Sequence, residues 1–277
     1  MKKLALVVAG MAAVFAAAEG SKFEVASVKK LPSSDGPVGA KSADRRGGSG
    51  PPLQIAQARF VYTGTLYTFI RGAYGIPGCG GSDCGLISGG PDWIKRDEFR
   101  IEARIPDGTP RTTAGLFGAG QAPELQLMLQ ALLAERFNLK VHHEEKQASV
   151  YVLRVDKNVP KPALKKTAGG LRSLFFRSMG PDDPSVHLEV VNWSMAALVR
   201  SLAPMLDRPV LDRTGLDGAF DFNAVYDKDR DAAPGNPQLV GPDMFRAFRE
   251  ELGLRFEATR APVDVVVIDR AEQPSGN

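Results

Sequence analysis

The sequence predicts an α+β fold of two tandem, related halves, each of antiparallel strands or hairpins with two helices packed on one face. Three observations predict it. Apolar residues at helical spacing, followed by strict alternation, occur twice in the chain. The two occurrences, 129–155 and 244–270, align without a gap at an offset of 115 residues. A second pair of helical patterns aligns at an offset of 129.

The chain opens on Met1-Lys2-Lys3, a short basic region, and an uncharged apolar run from residue 4 to 18 follows. Those 15 residues are fewer than the ~20 a membrane-crossing helix needs. Ala16-Ala17-Ala18 offers a small-residue cleavage site, and residues 1–20 read as a cleavable signal peptide. No later run has 18 uninterrupted apolar residues, so no stable membrane insertion is expected after cleavage. The expected location is periplasmic or secreted.

Strands are expected at 23–29 and 55–62, separated by a Pro-, Gly- and Ser-rich loop at 31–52. Thr65 is the expected N-cap of a helix whose apolar stripe is Leu66, Phe69, Ile70 and Ala73. Short strands follow near 86–87 and 98–104, with Gly115–Gly120 a small-residue loop between them and the next helix. That helix carries Met128, Leu132, Leu133 and Phe137, and Asn138 suits a left-handed C-cap. Alternation at Leu139 and Val141, then at Val150 and Val152, predicts strand, turn, strand.

A Pro-, Lys- and Gly-rich stretch places a linker at 159–170, between a first half at 21–158 and a second at 171–277. The second half repeats the order. Strands are expected at 174–177 and 187–191. Ser194 caps a helix bearing Met195, Leu198, Val199 and Leu202, with Arg200 matching Arg71. Strands near 209–212 and 219–226 flank the turn Asp212-Arg213-Thr214-Gly215-Leu216-Asp217-Gly218, whose glycines should take positive φ. A loop at 228–242 precedes the second helix–strand–turn–strand copy, with Gly253 in the place of Asn138.

Cleavage after Ala18 removes Lys2 and Lys3 and leaves 33 basic against 32 acidic side chains, a net charge of about +1. That near-balance gives no reason to expect a nucleic-acid partner. The two cysteines, Cys79 and Cys84, should form a disulfide in an oxidising compartment. Closing so short a loop stabilises by roughly 2 kcal/mol.

Few residues point to chemistry. His142-His143-Glu144-Glu145 invites a metal reading, but strand geometry sends alternate members to opposite faces. The second copy has Glu257-Ala258-Thr259 there. No nucleophile elbow or phosphate-binding glycine motif is present. Asp182-Asp183 sits in a Pro-rich turn context, where Asp forms turns. No metal site and no cofactor are therefore expected. Gly89-Gly90-Pro91-Asp92-Trp93 reads as a rigid turn that delivers an indole. Trp93, with Tyr74, is a candidate for a ligand groove as well as for the core.

Several of these stretches resemble one family. They are Phe23-Glu24-Val25-Ala26-Ser27-Val28-Lys29, Ala73-Tyr74-Gly75, Gly89-Gly90-Pro91 with Trp93, and Leu132-Leu133-Ala134-Glu135-Arg136-Phe137. Val210-Leu211-Asp212-Arg213-Thr214-Gly215-Leu216 with Gly218, and Val267-Ile268-Asp269-Arg270-Ala271-Glu272-Gln273-Pro274-Ser275 with Asn277, continue it. Together they are similar to the exported "soil-associated" Acidobacterial family of unknown function, across the mature chain. The Cys79–Cys84 loop departs from that pattern. The resemblance implies no activity. Related domains follow metallopeptidase-like membrane sensor domains, which implies extracytoplasmic sensing or interaction. The helix–hairpin units also resemble, in fold alone, the short N-terminal interaction domains of secretins and TonB-dependent receptors.

The expected function is a non-enzymatic binding, protein-interaction or sensing module with an unknown protein or peptide partner in the cell envelope. The alternative is an extracytoplasmic hydrolase using carboxylates or His142 and His143.

Overall fold

The computed structural model describes residues 22–32, 54–56 (backbone), 59–79, 84–109, 123–158, 164–178, 183, 185–227 and 243–274. The predicted leader, most of the 31–52 loop, the 115–120 and 228–242 loops and Asp182 lie outside the described residues.

In chain order the first elements are β1 (Val25–Lys30), β2 (Gln54–Ala56), β3 (Arg59–Thr65), α1 (Leu66–Ala73) and β4 (Ile87–Gly89). Then come α2 (Trp93–Arg96), β5 (Glu98–Arg104), α3 (Pro123–Arg136), β6 (Lys140–Val155), β7 (Lys165–Lys166) and β8 (Ser173–Ser178). The remainder are β9 (Ser185–Trp193), α4 (Met195–Leu202), a 3-10 turn at Ala203–Met205, β10 (Val210–Asp212), β11 (Phe220–Asp227), α5 (Met244–Leu252) and β12 (Leu254–Arg270). The result is a mixed α/β fold with three mostly antiparallel sheets.

The helices start where the sequence supplies a cap. Thr65 Oγ1 accepts from the Thr68 N–H at 3.2 Å, and Ser194 Oγ accepts from the Ala197 N–H at 3.3 Å. Asp243 caps α5 in the same way through the Arg246 N–H at 2.7 Å. Leu66, Phe69, Ile70 and Ala73 form the buried stripe of α1, and Met195, Leu198, Val199 and Leu202 that of α4. Beyond α3 and α5 the chain turns through left-handed residues, Asn138 at φ 46° and Gly253 at φ 64°.

Two expectations need correction. No turn divides 141 from 150 or 256 from 265. β6 and β12 are continuous strands of 16 and 17 residues, paired antiparallel from Leu254↔Val155 to Arg270↔Lys140. The run His142–Gln147 contains neither Gly nor Pro, and its charges find partners across and along the ribbon. Its polarity marks exposure, not a break. Pro262 is tolerated because β12 pairs with β6 alone at that position. The second correction concerns direction. β10 pairs parallel with β6, and β4 pairs parallel with β12, where hairpins had been expected.

The outer sheets run β1-β5-β3-β2 and β7-β11-β9-β8, all antiparallel. The central sheet runs β10-β6-β12-β4. The expected 159–170 linker includes β7, which pairs with β11.

β6 and β12 divide their faces between three cores. Side chains directly opposite in an antiparallel pair share a face. On one face, Val141, Val266 and Ile268 join the core formed with Phe60, Phe69, Phe99 and Phe137. On that same face, Tyr151, Leu153, Val155, Leu254 and Phe256 join the core with Leu198, Phe222 and Phe248. Each large core thus takes strand residues from distant parts of the chain. The other face of the ribbon carries a smaller core of Leu86, Val150, Val152, Val263 and Val265. Ile76 and Cys84 pack on this core, so one end of the disulfide pair rests on it. Those two cysteines stand at disulfide distance, with Cα atoms 5.5 Å apart.

Candidate binding surfaces

The edge of the sheet β7-β11-β9-β8 is the first candidate. β8 is its terminal strand. Register places Ser173, Phe175 and Arg177 opposite Val191, Glu189 and His187 on the outer face, with Leu174 and Phe176 turned to the core side. Leu174 packs on that core. Phe175 and Phe176 remain 48% and 38% exposed. The Arg177 guanidinium lies 5.6 Å from the Phe175 ring centroid. An edge strand with exposed aromatic rings is a ready template for pairing with another extended segment.

At the start of β8 the Arg172 guanidinium stacks on the Trp193 indole, 4.0 Å from its centroid. Trp193 ends β9 and is buried. Arg200 comes from the last turn of α4. Burial, and secondarily the Arg200 charge, holds Arg172 below the usual guanidinium range. Burial likewise lowers Arg200. Trp193 Nε1 and Arg200 Nε are buried donors without an acceptor among the described residues. Leaving such a donor unsatisfied costs about 1–3 kcal/mol.

The middle of the ribbon is the second candidate. On the face shared by the two large cores, His143, Glu145, Gln147 and Ser149 of β6 are exposed, as are Ala258, Arg260, Pro262 and Asp264 of β12. His143 Nδ1 lies 2.8 Å from Asp264 Oδ2, and the Tyr74 ring is 6.0 Å from the imidazole. Burial pushes the Tyr74 hydroxyl up from its usual value. On the opposite face His142 bridges Asp269 at 2.9 Å and Glu144 at 3.2 Å. Hydrogen bonds to Asp269 first and Glu144 second raise its pKa above the usual 6.5. Among the described residues no group of three or more His, Cys, Asp or Glu side chains could hold a metal ion.

Trp93 stacks against Phe137 at 6.5 Å and meets Phe99 edge-on at 6.0 Å, half-buried at the rim of the first large core. Tyr74 packs on the same core beside His143. The Asp212 turn is held locally. Asp212 Oδ1 accepts from the Thr214 N–H at 2.9 Å and hydroxyl at 2.8 Å, and Gly215 and Gly218 have φ of 69° and 97°. No helix among the described residues is long and apolar enough to cross a membrane.

Residues 68–271 match the family described as protein of unknown function DUF3738. The chain belongs to this family. The match begins inside α1 and ends just past β12, so it takes in the second large core and the smaller core whole but leaves out β1 to β3, and with them Val28, Phe60, Tyr62 and Leu66 of the first core. No curated protein and no solved structure matches the chain.

Sequence reasoning did not single out Phe175, Phe176, Arg172, Trp193 or Arg200 as a surface. The signals were present. Leu174-Phe175-Phe176 puts apolar side chains on both faces of one strand, which on an uncovered edge leaves an apolar template for pairing. Arg200 is the one charged residue of a largely apolar helix.

Proposed function

We propose that this DUF3738 member is an exported, non-enzymatic interaction module of the cell envelope that takes an extended segment of a protein or peptide partner along β8. The observation that carries the reading is the edge position of β8 with Phe175 and Phe176 exposed on its two faces. Main-chain hydrogen bonding would supply affinity there, and the aromatic side chains would select the partner. The basic, then apolar, N-terminus with Ala16-Ala17-Ala18 and the Cys79–Cys84 pair support an oxidising compartment outside the cytoplasm.

The chain is also proposed to be an internal duplication, with halves at 21–158 and 171–277. The outer sheets support this by matching in order, β1 to β7, β5 to β11, β3 to β9 and β2 to β8. Gln147 pairs with Pro262, its counterpart at the 115-residue offset, so the β6–β12 ribbon is centred on equivalent positions. The halves are not side by side as independent units. They exchange strands, β4 onto β12 and β10 onto β6.

The test is capture from an envelope extract by the full mature chain, in parallel with a Phe175→Asp/Arg177→Glu variant. A partner held by the first and lost by the second, at unchanged thermal stability, is the expected result. Equal capture by both would remove β8 from the account. The hydrolase reading rests on the His143–Asp264 pair, the base-and-orienter half of a catalytic triad. A hydrolytic activity abolished by alanine at His142 and His143 would restore it.

A further inference from the structure

We propose that β8 pairs antiparallel with β8 of a second molecule of this chain, joining two four-stranded sheets into one continuous sheet. The proposal rests on the reading of β8 as a pairing edge and names the segment that occupies it.

Among the described residues the two outer sheets present four edge strands, β1, β2, β7 and β8. Three of them carry what keeps an edge from pairing with its like, lysine or short length. β1 ends in Lys29 and Lys30, β2 has three residues, and β7 is only Lys165 and Lys166. β8 has six residues and no lysine. Phe175 and Phe176 are exposed on it, and Leu171, 93% exposed, stands two residues before it.

The charges along the strand define the segment that fits. Arg177 is the one charged residue of β8, and its guanidinium lies 3.9 Å from Glu189 of β9. Glu189 stands opposite Phe175 in the register. An acidic segment would meet Glu189 and a basic one would meet Arg177, so the edge suits a nearly neutral, apolar strand. β8 is itself such a strand.

Two identical strands paired antiparallel are related by a twofold axis normal to the sheet. The axis passes through one residue, because opposite side chains share a face. Placed at Phe175, it sets Phe175 against Phe175 of the second molecule, Leu174 against Phe176, and Ser173 against Arg177. Every apolar side chain of the strand then meets another. An axis at Leu174 sets Phe175 against Ser173, and one at Phe176 sets Leu174 against Ser178. In the Phe175-centred pair the two Arg177 side chains fall about 14 Å apart along the strands. That exceeds the screening length of ~8 Å at physiological ionic strength. Six residues a side is well short of the roughly 20–30 of a standard stable interface, so the dimer should dissociate on dilution. While formed, it covers the edge that another protein's segment would take, so the two exclude each other.

Sedimentation equilibrium of the full mature chain over a wide range of concentration tests this. The average mass should rise toward that of two chains and return to that of one on dilution. Phe175→Asp sets two carboxylates against each other and should weaken association at least about tenfold. Phe175→Lys should do the same. Mixing the two variants should restore the dimer, because in the Phe175-centred pair the new charges meet with opposite sign. Melting temperatures close to that of the unmutated chain show that both variants are folded. An unmutated chain that stays single at every concentration overturns the proposal, while pairing of β8 with another protein is decided separately by capture from the extract. A dimer that Phe175→Asp leaves intact overturns it too, as does a mixture of the two variants that fails to associate.

Discussion

The sheet β1-β5-β3-β2 and the sheet β7-β11-β9-β8 carry corresponding strands in corresponding places, and they part company at their edges. β2 spans three residues, whereas its counterpart β8 spans six and exposes two phenylalanines. The ribbon between the sheets repeats the contrast in charge. His142 pairs with Asp269 in one copy. At the 115-residue offset Glu257 pairs with Arg154, the same contact with its charges reversed. Both helices that follow the third strand of their sheet carry the same apolar stripe, yet the Arg71 guanidinium lies against Gly78, whereas Arg200 Nε is buried without an acceptor among the described residues. Packing requirements hold the frame alike in the two segments that the proposed duplication equates. Surface groups, freed from those requirements, differ, and those differences are where a distinct role can sit.

The comparison can be broken most severely where the copies differ in the backbone itself. Gly89 pairs with Ile268, as Asp212 does with Leu153. Gly89 has φ 76°, and a Cβ there would lie 2.7 Å from the Ile268 carbonyl oxygen. Gly89→Ala should therefore lower stability by roughly 3 kcal/mol, combining a collision with backbone and a disfavoured φ. Asp212→Ala should lose no more than its local turn bonds to Thr214, about 1 kcal/mol. Denaturant midpoints of the two variants measure the asymmetry, and equal losses would contradict it.

The helix caps sharpen the comparison from the other side, because there the copies agree. Thr65→Ala and Ser194→Ala should each cost about 1 kcal/mol, since each hydroxyl accepts one N–H of the first helical turn. Thermal unfolding of the two variants should shift by similar amounts.

The smallest expected effect is the response of His142 to pH. Its pKa is raised above 6.5 by Asp269 and Glu144, so the folded chain binds the proton more tightly than the unfolded chain. That contribution is complete below the unfolded value and disappears as pH rises through the higher folded value. Melting temperature should therefore fall slightly from about pH 6 upward, and His142→Asn should flatten that slope. The equivalent pair, Glu257 with Arg154, contains no histidine, so Glu257→Gln should leave the slope in place.

Much of the frame was legible because it is written in local patterns. The spacing of Leu66, Phe69, Ile70 and Ala73, the caps Thr65 and Ser194, and the left-handed residues Asn138 and Gly253 all act within a few residues. The continuity of β6 and β12 was not legible, because a polar run in a strand and a polar turn have the same composition. It takes the partner strand to tell them apart. The parallel placement of β4 and β10 depends on chain segments more than 50 residues away, which no local period records. The stacking of Arg172 on Trp193 is of the same kind, joining the start of β8 to the end of β9 by packing. Tyr74 and Trp93 were visible as aromatic side chains, Trp93 after a Gly-Gly-Pro turn, but their company, His143 for one and Phe99 with Phe137 for the other, was not.

The central claim is that strand exchange makes the two large cores one cooperative unit, and the two tryptophans test it because they sit one in each. Trp93 packs on the first core and Trp193 lies in the second. Trp193→Phe and Trp93→Phe chains, each reporting one core by fluorescence, are unfolded in denaturant with and without Leu153→Ala. Leu153 lies on β6, from the first part of the chain, but is fully buried in the second core, so its truncation should cost about 3 kcal/mol. The account predicts coincident transitions from the two reporters, both moved by Leu153→Ala to the same extent. Separate transitions, with Leu153→Ala moving the one reported by Trp193 alone, would contradict it.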